Sequence, residues 1–354
     1  MRERADGAWC RASLRGKDRT PPKKEMPVTV LSRRHLMLTA AGAAVAMPFL
    51  GRGLVFAQEP AAAAIPAFLP TVHTRTLGNT TVTTIADGHF DFAKDLVVNL
   101  DDAAYGAALR AAYLDPEQPI RVPVSVHLIR QGDQLTLVDA GGGSAFGPTT
   151  GHLAASLTAL GVTPDQITRI VMTHLHPDHA GGLVGDAGAV FANAALHVNE
   201  DELAFWTDEA TASAAPADVQ PFFALARGVR DAYGDRVQTF AGETDLGGGI
   251  TTMALPGHTP GHSGLRLSDG DAQMIILGDA AALAALQFRH PDAGVAFDTD
   301  AGQAATTRRN LLQMVTADRI AVAGTHLPFP GIGHVEARGD AFAWVPEDWF
   351  ATRA

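Results

Sequence analysis

Apolar, β-rich runs at 72–77, 80–87, 122–130 and 134–138 predict strands, and Gly132-Asp133 predicts a hairpin turn between the last two. The stretch "GHLAASLTALG" over 151–161 then places apolar residues at helical spacing and ends on Gly161, which predicts a helix and its stop. "ITRIVMTH", 167–174, returns to a strand. The second half repeats this grammar: a strand over 194–198, helices over 200–206 and 219–233, strands over 250–255, 264–267 and 273–277, a helix over 303–315 and a strand over 320–323. Strands and helices that alternate throughout predict a layered α/β architecture.

The ends of these strands share one chemistry. Four candidate strands run into Asp139, His174, His258 and Asp279 with glycines nearby, and a fifth runs into His326. Rigid strands aim the residues at their ends into one crevice, so five ends bearing His or Asp predict a shared site.

The densest of these ends is "VMTHLHPDHAGG", where His174, His176, Asp178 and His179 fall within six positions. So many coordinating groups on one turn repel and desolvate each other unless they share a cation. Residues two apart in an extended loop point the same way, so His174 and His176 can grip one ion. Pro177 turns the chain, and Asp178 and His179 can then face a second position. A catalytic ion takes about four ligands with one place left to water. Two ions need more ligands than this loop supplies, and His258, Asp279 and His326 are the natural remainder, with Asp279 able to bridge through its two oxygens.

Composition narrows the partners. The chain has 354 residues and 46% hydrophobic content, enough for one large or two ordinary globular domains. Its single cysteine, Cys10, lies far upstream, so any metal must be held by nitrogen and oxygen. Residues 1–57 hold 11 of the 27 basic and 4 of the 38 acidic residues, which leaves a formal charge of −18 on positions 58–354. That balance argues against nucleic acid, which needs clustered Lys and Arg. Within 1–57, Arg33 and Arg34 precede an apolar run that ends in Val55-Phe56-Ala57. The pattern resembles a twin-arginine export signal cleaved near Ala57, which implies the twin-arginine machinery as a partner of the precursor and a periplasmic or secreted mature protein. Translation can start at Met1 or Met26. A Pro/Ala linker over 58–70 leads into a single domain over 71–354.

The ordered set H-x-H-x-D-H with Gly-Gly, "GHTPGH", "LGD" and "GTHLPFPGIGH", preceded by "LVDAGGG", resembles the metallo-β-lactamase superfamily. The resemblance implies an αββα four-layer sandwich. It also implies one divalent ion on His174, His176 and His258 and a second on Asp178, His179 and His326, bridged by Asp279, with Asp139 orienting a ligand imidazole. Zinc is the first expectation, and manganese, iron or cobalt suit the same donors. Two ions about 3.5 to 4 Å apart can share a hydroxide, lower the pKa of bound water and polarise a substrate oxygen. Asp178 is expected as a ligand first and as a group that helps manage the proton. His262 and His334 sit in glycine turns, where a structural role is as good an expectation as a functional one.

"AFGPTTGHLAASLTALG", "DELAFW", "LGDAAALAALQF" and "THLPFPGIGHV" resemble a narrower branch of exported, dimeric, dinuclear enzymes that includes methyl parathion hydrolase. That implies a small-molecule substrate, an organophosphate triester or aryl ester, a homodimer, and an aromatic rim at Phe146, Trp206 and Phe222. The alanines in "AAALAAL" after Asp279 depart from that branch and predict a reshaped pocket wall. A lactonase, acting on N-acyl homoserine lactones or other lactones, shares all seven ligands and is the alternative. A non-enzymatic metal-binding protein is a second alternative, against which the completeness of the ligand set stands.

Overall fold

The computed structural model describes residues 69–349. Cys10, Met26, Arg33, Arg34, Ala57 and the linker through residue 68 lie outside the described residues.

Seven strands form the first sheet in sequential order: β1 (Val72–Leu77), β2 (Thr80–Phe92), β3 (Ile120–Gln131), β4 (Gln134–Val138), β5 (Arg169–Val171), β6 (Ala195–Asn199) and β7 (Val237–Phe240). The first four pair antiparallel, and β4 through β7 pair parallel. A six-stranded sheet follows, again in sequential order: β8 (Ile250–Ala254), β9 (Ser263–Asp269), β10 (Ala272–Ile276), β11 (Ala321–Ala323), β12 (Ile332–Arg338) and β13 (Ala341–Pro346). Its one parallel pair joins β10 to β11. That crossover carries α8 (Ala301–Ala317).

The two sheets meet face to face through Val82, Ile129, Val138 and Val171 on one side and Leu265, Leu267, Met274 and Ile276 on the other. Helices cover both outer faces. On the first sheet, α2 (Leu153–Ala159), α4 (Glu200–Thr207) and α6 (Gln220–Tyr233) bury Leu157, Trp206, Phe223 and Val229 against Leu137, Ile170 and Leu196. On the second, α8 buries Leu311, Leu312 and Val315 against Ile275 and Val322. Helix, sheet, sheet, helix is the four-layer order expected from the motifs. Each outer helix is held by an apolar stripe at helical spacing, as the Phe223, Ala226, Val229 and Tyr233 series of α6 shows.

Several elements differ from the sequence expectation. The strand expected to stop at residue 87 continues to Phe92, because a bulge between Ala86 and Gly88 shifts the register without ending the pairing. Gly88 takes φ 154°, and a Cβ there would lie 2.0 Å from the Thr149 carbonyl oxygen. The bulge turns Asp87 inward, where its carboxylate accepts from the Gly142, Gly151 and Leu153 amides. Beyond it, Phe90 and Phe92 are delivered toward the site. Helix α1 (Asp102–Ala111), β7, β12 and β13 were not expected. The alanine-rich α1 carries little apolar contrast, although Asp101 caps it by accepting from the Ala104 amide.

Gly88→Ala forces a side chain into both a left-handed backbone and an occupied volume. Its expected cost is more than about 1 kcal/mol, measured as a lower urea midpoint at unchanged slope.

Candidate metal centre

All seven expected ligands converge, each delivered by the short segment just past a strand end, which for Asp178 and His179 is a helical turn over Pro177–Ala180 and for Asp279 a 3-10 turn over Gly278–Ala280. His174, His176, Asp178 and His179 follow β5, His258 follows β8, Asp279 follows β10 and His326 follows β11. Two groups result, His174 with His176 and His258, and Asp178 with His179, Asp279 and His326. Within each, the candidate ligand atoms lie within 4.8 Å of one another. Asp279 faces both groups: Oδ2 is 3.4 Å from His258 Nε2, and Oδ1 is 3.2 and 3.3 Å from His179 and His326 Nε2.

The hydrogen bonds on the far side of each ring decide which nitrogen carries its lone pair inward. His258 Nδ1 lies 2.7 Å from Asp298 Oδ1, His179 Nδ1 lies 2.8 Å from Asp139 Oδ2 and His326 Nδ1 lies 2.7 Å from the Pro123 carbonyl. These partners only accept, so each Nδ1 donates and each Nε2 keeps a lone pair. Thr173 Oγ1 donates to Asp139 and therefore accepts from His174 Nδ1, which leaves His174 Nε2 in the same state. His179 Nε2 and His326 Nε2 stand 3.2 Å apart, and His258 Nε2 stands 3.0 Å from His176 Nδ1. Buried His174 Nε2 and Asp279 Oδ1 have no hydrogen-bond partner among the described residues. Lone pairs that converge in a buried space fit cations.

The electrostatics agree. Burial, then the neighbouring imidazoles, hold His174 well below the usual histidine range, and burial followed by His258 does the same to His176. Burial opposes charge on His326 too, but Asp279 and Asp178 outweigh it and raise the ring to about 10. His179 is raised by Asp279, Asp178 and Asp139 against the same burial. Asp178 is held at about 2: burial pushes it up, and His179 and His326 pull it further down. The second group thus demands positive charge, which a divalent ion supplies in place of protons.

Asp139 accepts from His179 Nδ1 and from the Thr173 amide, and it does so at φ 63°. A non-glycine residue in that region marks a constrained position. His262 is structural: Nδ1 donates to the Leu255 carbonyl, and Nε2 accepts from the Asp279 amide. Exposed His334 sits on β12, away from both groups.

Over the ligands lies a cavity of about 200 Å³, walled by Phe90, Phe146, Phe222, Leu283, Val295 and Phe297. Phe90 stacks on Phe146 at 5.0 Å and meets His326 edge-on at 5.7 Å. Among the described residues no Lys or Arg lines it. Phe146 and Phe222 therefore stand where the aromatic rim was expected, and Ala282 of the alanine run contributes to the wall. Trp206 requires a correction. It is 2% exposed, absent from this cavity's wall, and lies behind His176 at 5.2 Å with Nε1 donating to Glu202. A helix side chain pointing back over the sheet packs in the core, and the sequence alone does not separate that from a rim position.

Glu202, Asp298, Phe90 and Phe297 were not singled out in the sequence. Glu202 follows the Asn199 cap like any acidic first-turn residue, and only the fold brings Asp298 to His258.

Comparison with known proteins agrees with this geometry. Residues 119–339 match the model of the metallo-beta-lactamase superfamily. The chain is 26% identical over 221 residues to the N-acyl homoserine lactonase AiiB of Agrobacterium fabrum strain C58, which covers 53% of this chain and 76% of that protein. Among solved structures it resembles the hydrolase AbOPH of the beta lactamase superfamily, with TM-score 0.75 and 28% identity over 80% of this chain and 99% of that one. It resembles AidC, a dizinc quorum-quenching lactonase solved with a product, at TM-score 0.75 and 25% identity over the same shares. With its fold, its two ligand groups and the match over 119–339 in agreement, the chain belongs to the metallo-β-lactamase superfamily of hydrolases.

Proposed function

We propose that this protein is a dinuclear zinc hydrolase that opens lactones, with neutral aryl esters and phosphotriesters as slower substrates. The observation that carries this reading is the cavity wall, aromatic and aliphatic with no Lys or Arg among the described residues, set directly over two groups of metal-ligating residues. Away from the ions that the ligands would hold, an anionic group finds no cationic partner on the wall, where Asp91, Asp178 and Asp279 are the charged side chains among the described residues apart from the histidines. A neutral ester or lactone keeps its apolar body against the phenylalanines. A volume of about 200 Å³ is below the roughly 300 to 1,000 Å³ of pockets that enclose a drug-sized ligand. It suits a single small ring. Lactonase activity in AiiB and AidC supports the lactone over the other neutral esters.

Two divalent ions, when bound, supply a water of lowered pKa and polarisation of the substrate oxygen. His174, His176 and His258 would hold one, and Asp178, His179 and His326 the other, with Asp279 offering one oxygen to each. Phe90, Phe146, Phe222 and Phe297 seat the ring and exclude bulk water. Asp178 reaches the cavity with its side chain 11% exposed and Oδ2 at 3.1 Å from His326 Nε2. Its carboxylate would take the proton released as water adds to the carbonyl carbon. When the ring C–O bond breaks, the same proton goes to the departing alkoxide, which leaves a hydroxy acid.

A second reading, phosphotriester hydrolysis as the main activity, is favoured by the stacked Phe90–Phe146 pair, which offers a flat face to an aryl leaving group. A parallel kcat/KM series on N-acyl homoserine lactones, simple γ-lactones, aryl acetates and dialkyl aryl phosphates separates the two. Lactones are expected to lead. An aryl phosphate ahead of every lactone by tenfold would overturn the first reading in favour of the second. The corrected role of Trp206 is tested on stability: Trp206→Ala is expected to cost about 3 to 5 kcal/mol. Phe146→Ala is expected to cost less than about 1.5 kcal/mol while weakening aryl-ester binding. Equal, small losses of stability in both variants would return Trp206 to the rim.

A further inference from the structure

Glu202 belongs to neither group of ligands, yet it is the fully buried carboxylate on which two ligand-bearing loops meet. Its Oε1 accepts from the Leu175 amide at 2.9 Å and from Trp206 Nε1 at 2.8 Å. Its Oε2 accepts from Thr259 Oγ1 at 2.5 Å and from the Gly261 amide at 3.1 Å. The residue is 0% exposed, and no Lys or Arg forms an ion pair with it among the described residues. A buried carboxylate without a countercharge is expensive unless donors surround it. Four donors do so here.

The identity of those donors is selective. Leu175 sits between His174 and His176, and Thr259 follows His258, so the bonds of Glu202 run to the Leu175 amide and the Thr259 hydroxyl, on residues that flank all three members of one metal group. The approach is close: a Cβ on residue 261 would lie 2.3 Å from the Glu202 amide nitrogen, so glycine is required for the loop to press on the first turn of α4. The other group is held differently. Asp139 orients His179, the Pro123 carbonyl orients His326 and His262 fixes the Asp279 amide. None of these contacts involves Glu202.

We propose that Glu202 is a positioning residue for one half of the metal centre, setting the spacing of His174, His176 and His258 and leaving the half built on Asp178, His179 and His326 untouched. The inference rests on the two-ion reading of the site and is independent of the substrate. Glutamine cannot replace the carboxylate, because its amide NH2 would face two donors wherever it pointed.

Metal-free protein titrated with Co(II), followed by its visible absorption and by equilibrium dialysis, tests this. His258→Ala and His326→Ala identify which of two binding steps belongs to which group. Glu202→Gln is expected to weaken the step lost in His258→Ala by about 10- to 100-fold and to leave the other step unchanged. Thr259→Val, which removes one donor and keeps its shape, is expected to weaken the same step by a smaller factor. It decides the matter alone if Glu202→Gln fails to fold. Equal weakening of both steps, or two unchanged steps, overturns the proposal for Glu202. Absence of cobalt binding in the parent protein would overturn the two-ion reading instead.

Discussion

Four histidine nitrogens with inward lone pairs, and the two carboxylates among them, cannot be left facing one another in a buried space. His179 and His326 present Nε2 atoms 3.2 Å apart with both Nδ1 protons already committed elsewhere. A hydrogen bond between them would require an extra proton, and that proton would be buried among further imidazoles. Cations resolve the conflict, and the rest of the fold can be understood as the means of holding it in place. Ladder hydrogen bonds pay for the rigidity of β4, β5, β8, β10 and β11, whose ends set the ligands. The groups behind the ligands, Asp139, Asp298, His262 and Glu202, fix each ring or loop in the orientation that turns its lone pair inward.

The same arrangement shapes selectivity. Asp178 and Asp279 already supply negative charge where the ions would sit, and among the described residues the wall above the ligands adds only Asp91 as a charged side chain. Phenylalanines from β2, from the loop after β4, from α6 and from the segment before α8 close over it. One wall is tied directly to a ligand, since Asp298 accepts from the Val295 amide with Oδ2 while Oδ1 holds His258. Buried Arg308 donates to the Ala280, Pro291 and Ala293 carbonyls, and buried Gln287 accepts from the Ala282 and Leu283 amides. Substitutions in this wall therefore reach the metal centre through backbone that both share.

The ligands were legible in the sequence because coordination restricts side-chain type. Few residues can replace His174 or Asp279, and each follows a recognisable strand. The alternation of strands and helices gave a layered α/β architecture, and the four-layer order came with the resemblance of the motifs to the superfamily. What was not legible depends on distance in space. Phe90 and Phe92 were lost behind the bulge at Gly88, which resembles a turn in one dimension and is a continued strand in three. Trp206 and Phe222 have the same aromatic character in the sequence, but α4 points one into the core and α6 brings the other to the cavity. Glu202 and Asp298 carry common residue types in unremarkable contexts, and only their partners distinguish them.

Elemental analysis of metal per chain, on protein purified without added metal and again after chelation and reloading with zinc, bears most directly on the converging lone pairs. Close to two ions per chain before and after, with thermal stability lost on chelation and regained on reloading, is the expected result. A chain that holds no metal in either state and melts at the same temperature throughout would contradict it, and the buried histidines would then need another partner.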